Sequence, residues 1–460
     1  MNIYIHLENV TRELDSKILL GTLAAFRGHD VIISDTESIE KGIRRGILAP
    51  GIFHTKSLTP AAQKIARHQF LIKKGNLITS IDEENRLSHN GFDNFAKKRF
   101  SEQTIKDSAA VFGWGPDDYE TLKRIYPNQS SKFYKTGSPR VDLWRSEMSD
   151  YWTYPKQAPK KPFLLVISNM TYANYAIPFK NLIWRERENG HYKREPSLLI
   201  NNFLIAAEHY RITASFMDAI IHLANNNKGY EIVLRPHQNE DMQSWKIYLK
   251  GVPNVHVIRE GSITSWVKNA FAVMHNGCTT ALEATILDKP LLTYVPFKQN
   301  YGNELSNNLG YLINSKEDLE KKVNSLFDES KLNLKKSLEK DLPQLVSKKI
   351  YIDNNELASI KMIKVWENLG KNREILSKSS NWRLFQLTLK LMKINGLVVN
   401  TIKSVIGGKT NTARKNFKFP PFEYSYINMK VKKIQNILGL SKNLKCKLLS
   451  DRTILLKKFK

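Results

Sequence analysis

The stretch YEIVLRPHQNED, residues 230–241, sets a guanidinium, a rigid ring and an imidazole at the end of an apolar run. Glu231 to Leu234 are of strand type. Pro236 lacks the N–H that a central ladder needs, so it ends the strand and fixes the turn. Arg235 and His237 then stand where a buried strand emerges. An imidazole held there can donate to an anionic oxygen, or bond a loop carbonyl. A second stretch, AVMHNGCTTALEATILDKPLLTY at 272–294, reads as strand, turn, helix, strand. Asn276 precedes Gly277, which permits the tight turn. Thr279 or Thr280 can cap the helix over 279–287, whose free N–H groups and dipole favour an anion. The two stretches together describe a phosphate site of backbone N–H groups, threonine hydroxyls and His237. A third stretch, SIDEENRL at 80–87, places Asp82, Glu83 and Glu84 after an apolar strand. Carboxylates at a strand end can serve as general base or as nucleophile. Side-chain alternation turns at most two of the three the same way.

These residues need a scaffold that ends several strands at one edge. IYIHLE (3–8), a helix over 11–30 closed by Gly28, and VIISD (31–35) make a βαβ opening, the mark of a parallel sheet. Further strands are expected at 76–82, 109–115 and 131–137. The segment 151–162, YWTYPKQAPKKP, reads as a linker. Alternation then resumes, with strands at 163–168, 230–235, 255–259, 270–276 and 290–295 and helices at 202–226, 262–268, 279–287 and 315–328. The expected fold is α/β: a Rossmann-like domain over 1–150, a linker, a second over 163–345, and a basic, mostly helical extension over 346–460. Ligands of such sheets bind at the carboxyl ends of the strands, here in a cleft between the domains.

The chain of 460 residues carries a net charge of +27. Residues 361–460 hold about 23 Lys or Arg against about 4 acidic residues, so most of the excess lies there. Such a charge points to a polyanionic partner. Aromatic-bearing RNA-binding motifs are absent from the sequence, which argues against nucleic acid. Cys278 and Cys446 form no disulfide framework and no metal-ligand cluster. The start lacks the pattern of a signal peptide and no run of 18 apolar residues occurs, so a cytoplasmic chain without a membrane span is expected. Leu384, Leu387, Leu391, Ile394, Val398, Ile402 and Val405 form an apolar stripe at helical spacing, backed by lysines.

RPHQ resembles the His-Pro motif of bacterial GT-B glycosyltransferases that use CMP-activated acid sugars, the sialyltransferases and Kdo transferases. HNGCTTALEA resembles their phosphate loop, and SIDEENRL their paired-acid-plus-glycine motif. FGWGPDDYETL (112–122) and TGSPRVDLWR (136–145) resemble a bacterial surface-carbohydrate biosynthesis family of the same fold. Gln238 stands where the His-Pro motif has proline, and Asn85 where the acidic motif has glycine.

The resemblance implies a glycosyltransferase moving an acidic sugar from a CMP donor to a surface polysaccharide or glycolipid acceptor, as in capsule or lipopolysaccharide assembly. Asp82 and Glu83 would face the sugar. His237 would hold the departing phosphate, with no required metal and no cofactor besides the nucleotide sugar. Ser168, Asn169, Arg235, Asn276, Gly277, Thr279, Thr280 and Glu283 would bind the nucleotide sugar, Glu283 through the ribose hydroxyls. Arg12 and Lys56 would meet an acidic sugar or acceptor phosphate, while Trp114 and Arg140 pack and bridge inside the first domain. The basic tail fits work at the anionic inner face of the cytoplasmic membrane, or a helical extension packed on the first domain. The alternative is a sugar-nucleotide 2-epimerase, or another polymer transferase of this fold, the epimerase being separated by binding of UDP-N-acetylhexosamine.

Overall fold

Short β-branched runs bounded by polar turns produce the strands of two parallel sheets. The computed structural model describes residues 1–84, 92–176, 181–301, 304–332, 343–371, 373–405, 419–441 and 443–458. Asn85 and the rest of SIDEENRL beyond Glu84 lie outside the described residues. The first sheet contains β1 (Asn2–His6), β2 (Asp30–Ser34), β3 (Gly51–Thr55), β4 (Leu77–Ile81), β5 (Ala110–Gly113) and β6 (Phe133–Lys135). The second contains β7 (Phe163–Ile167), β8 (Glu231–Arg235), β9 (Val255–Val257), β10 (Ala272–His275), β11 (Leu291–Tyr294) and β12 (Tyr311–Ile313). Both are parallel throughout these strands, ordered β2-β1-β3-β4-β5-β6 and β12-β11-β10-β7-β8-β9. The chain is thus two Rossmann-like α/β units, with a C-terminal extension that is mostly helical.

Four strands were not read from the sequence: β3, β12 and two more near the C-terminus, where helix was expected. GIFHT, which forms β3, follows Pro50 and opens on Gly51, two residue types unfavourable to a strand interior. Gly51 is required by close approach: a Cβ there would lie 2.3 Å from the carbonyl oxygen of Asn2. YLI, which forms β12, is only three residues long and exposed at its first two positions.

The extension belongs to the first unit. Among the described residues, the chain up to Tyr151 and the segment from Pro343 onward form one compact unit, and Trp152 to Leu342 form another. The last strands, β13 (Leu444–Ser450) and β14 (Thr453–Lys458), make an antiparallel ribbon whose β14 pairs with β2. They extend the first sheet to eight strands. Lys445 and Lys447 are exposed on the outermost strand, where charge discourages edge-to-edge pairing. Phe385, Leu389, Leu449 and Leu455 enter the same core as Tyr4, Ile32 and Phe53.

Helix Ala358–Gly370 is anchored from a distance. Its own N-cap residue, Leu357, has no side chain able to cap. Buried Asp142 supplies the cap instead, accepting from the N–H groups of Ala358 and Ser359 at 2.8 Å each and from the Ser359 hydroxyl at 2.7 Å. Trp366 of that helix is fully buried and donates to Thr79 Oγ1 at 3.1 Å. In helix Tyr424–Ile437, Lys430 pairs with Asp15 at 3.1 Å and lies 4.3 Å from the Tyr151 ring. Tyr151 donates to Asp15 at 2.6 Å.

Helix Trp382–Val405 docks through Trp382, Phe385, Leu389 and Met392. The apolar stripe read from the sequence is a different face: Leu384, Leu387, Leu391 and Ile394 are exposed. The side chains of Val398, Ile402 and Val405 lie outside the described residues. No helix among the described residues is long and apolar enough to cross a membrane.

Removing the Asp142 carboxylate strands two buried N–H groups and a hydroxyl. Asp142→Ala is expected to lower unfolding stability by about 2–4 kcal/mol, measured by urea denaturation. An unchanged midpoint would show that the cap is dispensable.

Candidate functional site

A parallel sheet leaves its strand ends open where chain connections run off in opposite directions. In the second unit that switch lies between β7 and β10. Ser168 and Asn169 follow β7, and Asn276 and Gly277 follow β10. Asn169 Nδ2 reaches the Gly277 carbonyl at 3.5 Å across the switch. Gly277 has φ +64°, the left-handed turn expected of it. Its N–H is occupied, donating to Asn307 Oδ1 at 2.7 Å, and Asn276 donates to the Tyr294 carbonyl at 2.7 Å.

The threonines differ from the capping expected of them. Thr279 stands at the N-cap of helix Thr280–Ile286 but with helical backbone, φ −64° and ψ −16°, and makes no cap hydrogen bond. A side chain on helical backbone points away from the N–H groups it would cap. Thr280 Oγ1 accepts from Cys278 Sγ at 3.3 Å. Thr279 is exposed, and Glu283 is buried one turn into the helix.

At the end of β8, Arg235 is buried, its guanidinium donating to the carbonyls of Glu260 (2.6 Å) and Gly261 and lying 5.6 Å from the Trp266 ring. It braces the strand end, and burial followed by the Arg259 charge pushes its pKa down to about 10. His237 is half-buried, and its Nδ1 accepts from the Asn239 N–H at 3.2 Å. In the neutral ring that bond puts the proton on Nε2, making Nε2 a donor.

Glu240 escaped the sequence reading. It is fully buried and accepts from Ser168 Oγ (2.6 Å), the Met170 N–H (2.6 Å) and Trp245 Nε1 (2.8 Å). Burial pushes its pKa up despite these bonds. Ser168 is therefore bound into this knot. No periodicity marks an acid in a polar turn as buried.

In the first unit the switch lies between β1 and β3. Glu8, Lys56, Asp82, Glu83 and Glu84 follow β1, β3 and β4. Both Asp82 and Glu83 are buried while Glu84 is exposed. Strand alternation does not govern them, because the chain has left β4 and turned, with the Glu83 N–H donating to the Lys56 carbonyl at 3.0 Å.

Asp82 receives a two-pronged Arg99 guanidinium, at 2.8 and 2.9 Å, and its own carbonyl accepts from Trp114 Nε1 at 2.9 Å. Glu83 pairs with buried Lys17. Its Oε2 is buried and finds no hydrogen-bond donor among the described residues. Burial raises the Asp82 pKa over the opposing pull of Arg99. Burial would raise Glu83 too, but Lys17, Arg140 and Arg12 together hold it below the usual range.

Arg12 meets Glu13 at 3.2 Å and Glu84 at 3.4 Å, and Lys56 meets Glu8 at 2.7 Å and Glu84 at 3.3 Å. Both cations proposed for an acidic ligand thus face carboxylates of their own chain. Arg140 stacks near Trp114 and Trp144, at 5.4 and 5.6 Å. Asp118 of PDDY accepts from the Trp114 N–H at 2.9 Å, and Asp117 pairs with Lys349. Among the described residues no group of three or more His, Cys, Asp or Glu is placed to hold a metal ion.

Lys17, Arg99 and Lys64 were not singled out beforehand. Lys17 had a signal: it lies four residues after Glu13 on the apolar helix Val10–Phe26, and Glu13 is also buried. Lys64 donates to Ser57 Oγ at 2.7 Å, and burial, with Lys56 and Arg99 nearby, pushes its pKa down to about 8.

No protein-family model matches the chain, and no curated protein matches it. Solved structures match at low identity. A putative UDP-N-acetylglucosamine 2-epimerase from Listeria monocytogenes is 13% identical, over 80% of this chain and 96% of that one, with a TM-score of 0.48. The UDP-GlcNAc 2-epimerase from Neisseria meningitidis bound to UDP-GlcNAc is 11% identical, over 80% and 100%, with a TM-score of 0.45. The wall teichoic acid polymerase TagF is 10% identical, over 81% and 90%, with a TM-score of 0.42. At these values the likeness is one of fold.

The matches correct the sequence reading. Epimerases of UDP-linked sugar, rather than CMP-sugar transferases, head them, so the CMP-linked donor and the Kdo, capsule and lipopolysaccharide glycosyltransferase built on it are set aside. The physical reason lies in the motifs. RPHQ and HNGCTTALEA were read for phosphate alone, and neither was assigned a group that distinguishes cytosine from uracil.

Lys17→Met removes one half of a buried ion pair and leaves Glu83 uncompensated. It is expected to destabilise the first unit by about 3–5 kcal/mol, read by chemical denaturation. Double replacement, Lys17→Met with Glu83→Leu, is expected to recover most of the loss; no recovery would show that Lys17 acts through other contacts.

Proposed function

We propose that the chain is a sugar-nucleotide 2-epimerase, inverting C2 of the sugar in a UDP-linked N-acetylhexosamine. The observation that carries this reading is the adjacent buried pair Asp82 and Glu83, one pKa raised and the other lowered. Paired groups pushed apart in this way suit an acid and a base. Inversion at C2 needs both, one to take a proton from one face and one to return it to the other. The C2 proton is not acidic by itself. Its removal must accompany cleavage of the C1–O bond: the proton goes to a carboxylate, a C1=C2 double bond forms, and the nucleoside diphosphate leaves with the electron pair. Re-addition with a proton from the opposite face completes the inversion.

The first unit supplies the acid–base groups. Glu83, held ionised beside Lys17, serves as the base, and Asp82, gripped by Arg99, as the acid. The second unit, taken by itself, carries groups suited to a diphosphate at its own strand ends. His237 offers Nε2–H, and the Gly277 turn opens at the strand ends, with Glu283 one helical turn further on for the ribose hydroxyls. No acceptor substrate enters this reaction.

UDP-GlcNAc incubated with the protein in D2O is expected to yield a second epimer, with deuterium at C2 of the sugar, by proton NMR. Asp82→Asn and Glu83→Gln should each lower turnover at least 10²-fold while UDP still binds, about the contribution of a positioned acid or base. His237→Ala should lower turnover by about 10²-fold, the loss expected for one preorganised donor to the leaving group. Recovery of undeuterated UDP-GlcNAc from folded protein that binds UDP would overturn the epimerase reading. Absence of UDP binding would overturn the nucleotide site as well.

A further inference from the structure

Over residues 382–394, the surface of helix Trp382–Val405 divides in three. One side, with Trp382, Phe385, Leu389 and Met392, is packed into the core of the first unit. Leu384, Leu387, Leu391 and Ile394 recur at spacings of three and four and share another side, where they remain 44, 52, 48 and 56% exposed. Arg383 and Lys390 are exposed along the border of that apolar side, and Lys393 is exposed beside Lys390. The neighbouring strand adds to the row: Lys447 of β13 donates to Gln386 Oε1 at 3.0 Å. Lys393 meets Asp451 at 3.1 Å but stays 62% exposed.

Four large aliphatic side chains in line on a solvent-facing helix are costly to hydrate, so such a face calls for a cover. The border decides its chemistry. A basic row along an apolar strip matches the boundary between anionic headgroups and acyl chains, where leucines enter the hydrocarbon edge and lysine stems reach back to phosphate. The charge of the surrounding sequence agrees, since residues 361–460 carry about 23 cations against about 4 anions.

We propose that this helix face is a peripheral docking surface for an anionic lipid bilayer. The helix lies along the surface rather than through it, because its opposite side is already committed to the protein core. The docking surface is independent of the acid–base groups and of the nucleotide reading, so either can fail without the other.

The test is co-sedimentation of the full chain with vesicles of phosphatidylcholine alone and of phosphatidylcholine with 30 mol% phosphatidylglycerol. Pelleting is expected only with the anionic vesicles and is expected to fall steeply between about 0.1 M and 0.5 M salt, as the Debye length shrinks. Leu387→Glu with Leu391→Glu alters exposed positions, so folding should survive, checked by melting temperature. Its apparent partition coefficient should fall at least about tenfold. Arg383→Ser with Lys390→Ser should reduce binding several-fold and flatten the salt dependence. Equal pelleting of wild type and the glutamate variant, or no pelleting of either, overturns the proposal. So does a lipid-free dimer, by light scattering, that the glutamate variant dissociates, since a second copy would then be the cover.

Discussion

A buried ion pair is tolerated only when both charges are held, and Lys17–Glu83 fixes the arrangement of charge at the strand ends of the first unit. Lys17 sits on the helix that follows β1, and Glu83 on the turn that follows β4. The pair ties two elements separated by β3 in the sheet. With Glu83 anchored, its neighbour Asp82 is committed to Arg99 and its backbone to Trp114. The remaining charges, Glu8, Glu13, Arg12, Lys56 and Glu84, pair around this centre. These carboxylates find their partners within the chain itself.

The second constraint is the return of the chain. After the second unit, the segment from Pro343 runs back over the first, and Asp142 caps the helix on which it lands. The return also supplies an edge. Without β13 and β14, β2 would present an unpaired row of backbone groups; with them, the edge is a lysine-bearing strand. The motif TGSPRVDLWR thereby has a physical reading. Asp142 caps the returning helix, and Arg140 lies beside Trp114 and Trp144 and helps hold Glu83 ionised.

The second unit shows the opposite economy. Its strand ends are occupied by their own hydrogen bonds: Arg235 braces a loop, Ser168 serves Glu240, and Gly277 donates to Asn307. Each of these groups is already engaged by the protein itself. His237 accepts at Nδ1 from the Asn239 N–H, a bond that orients the ring.

Local signals determined most of the scaffold. The βαβ opening, the left-handed turn at Gly277, the strand-ending Arg235-Pro236-His237 and the acids after β4 were legible because each depends on near neighbours in the chain. So was the helix at 382–405, since its spacing is helical whichever face is buried. What only the tertiary structure decided has one physical origin: burial of charge depends on partners far away in sequence. Glu83 is 66 residues from Lys17, Glu240 is 72 from Ser168, and Asp142 is 216 from Ala358. The faces of helix 382–405 were assigned in the same way, by a core that the helix meets only after the chain has come back. The motifs after β8 and β10 were read for phosphate alone, because no residue in them faces the choice between one base and another.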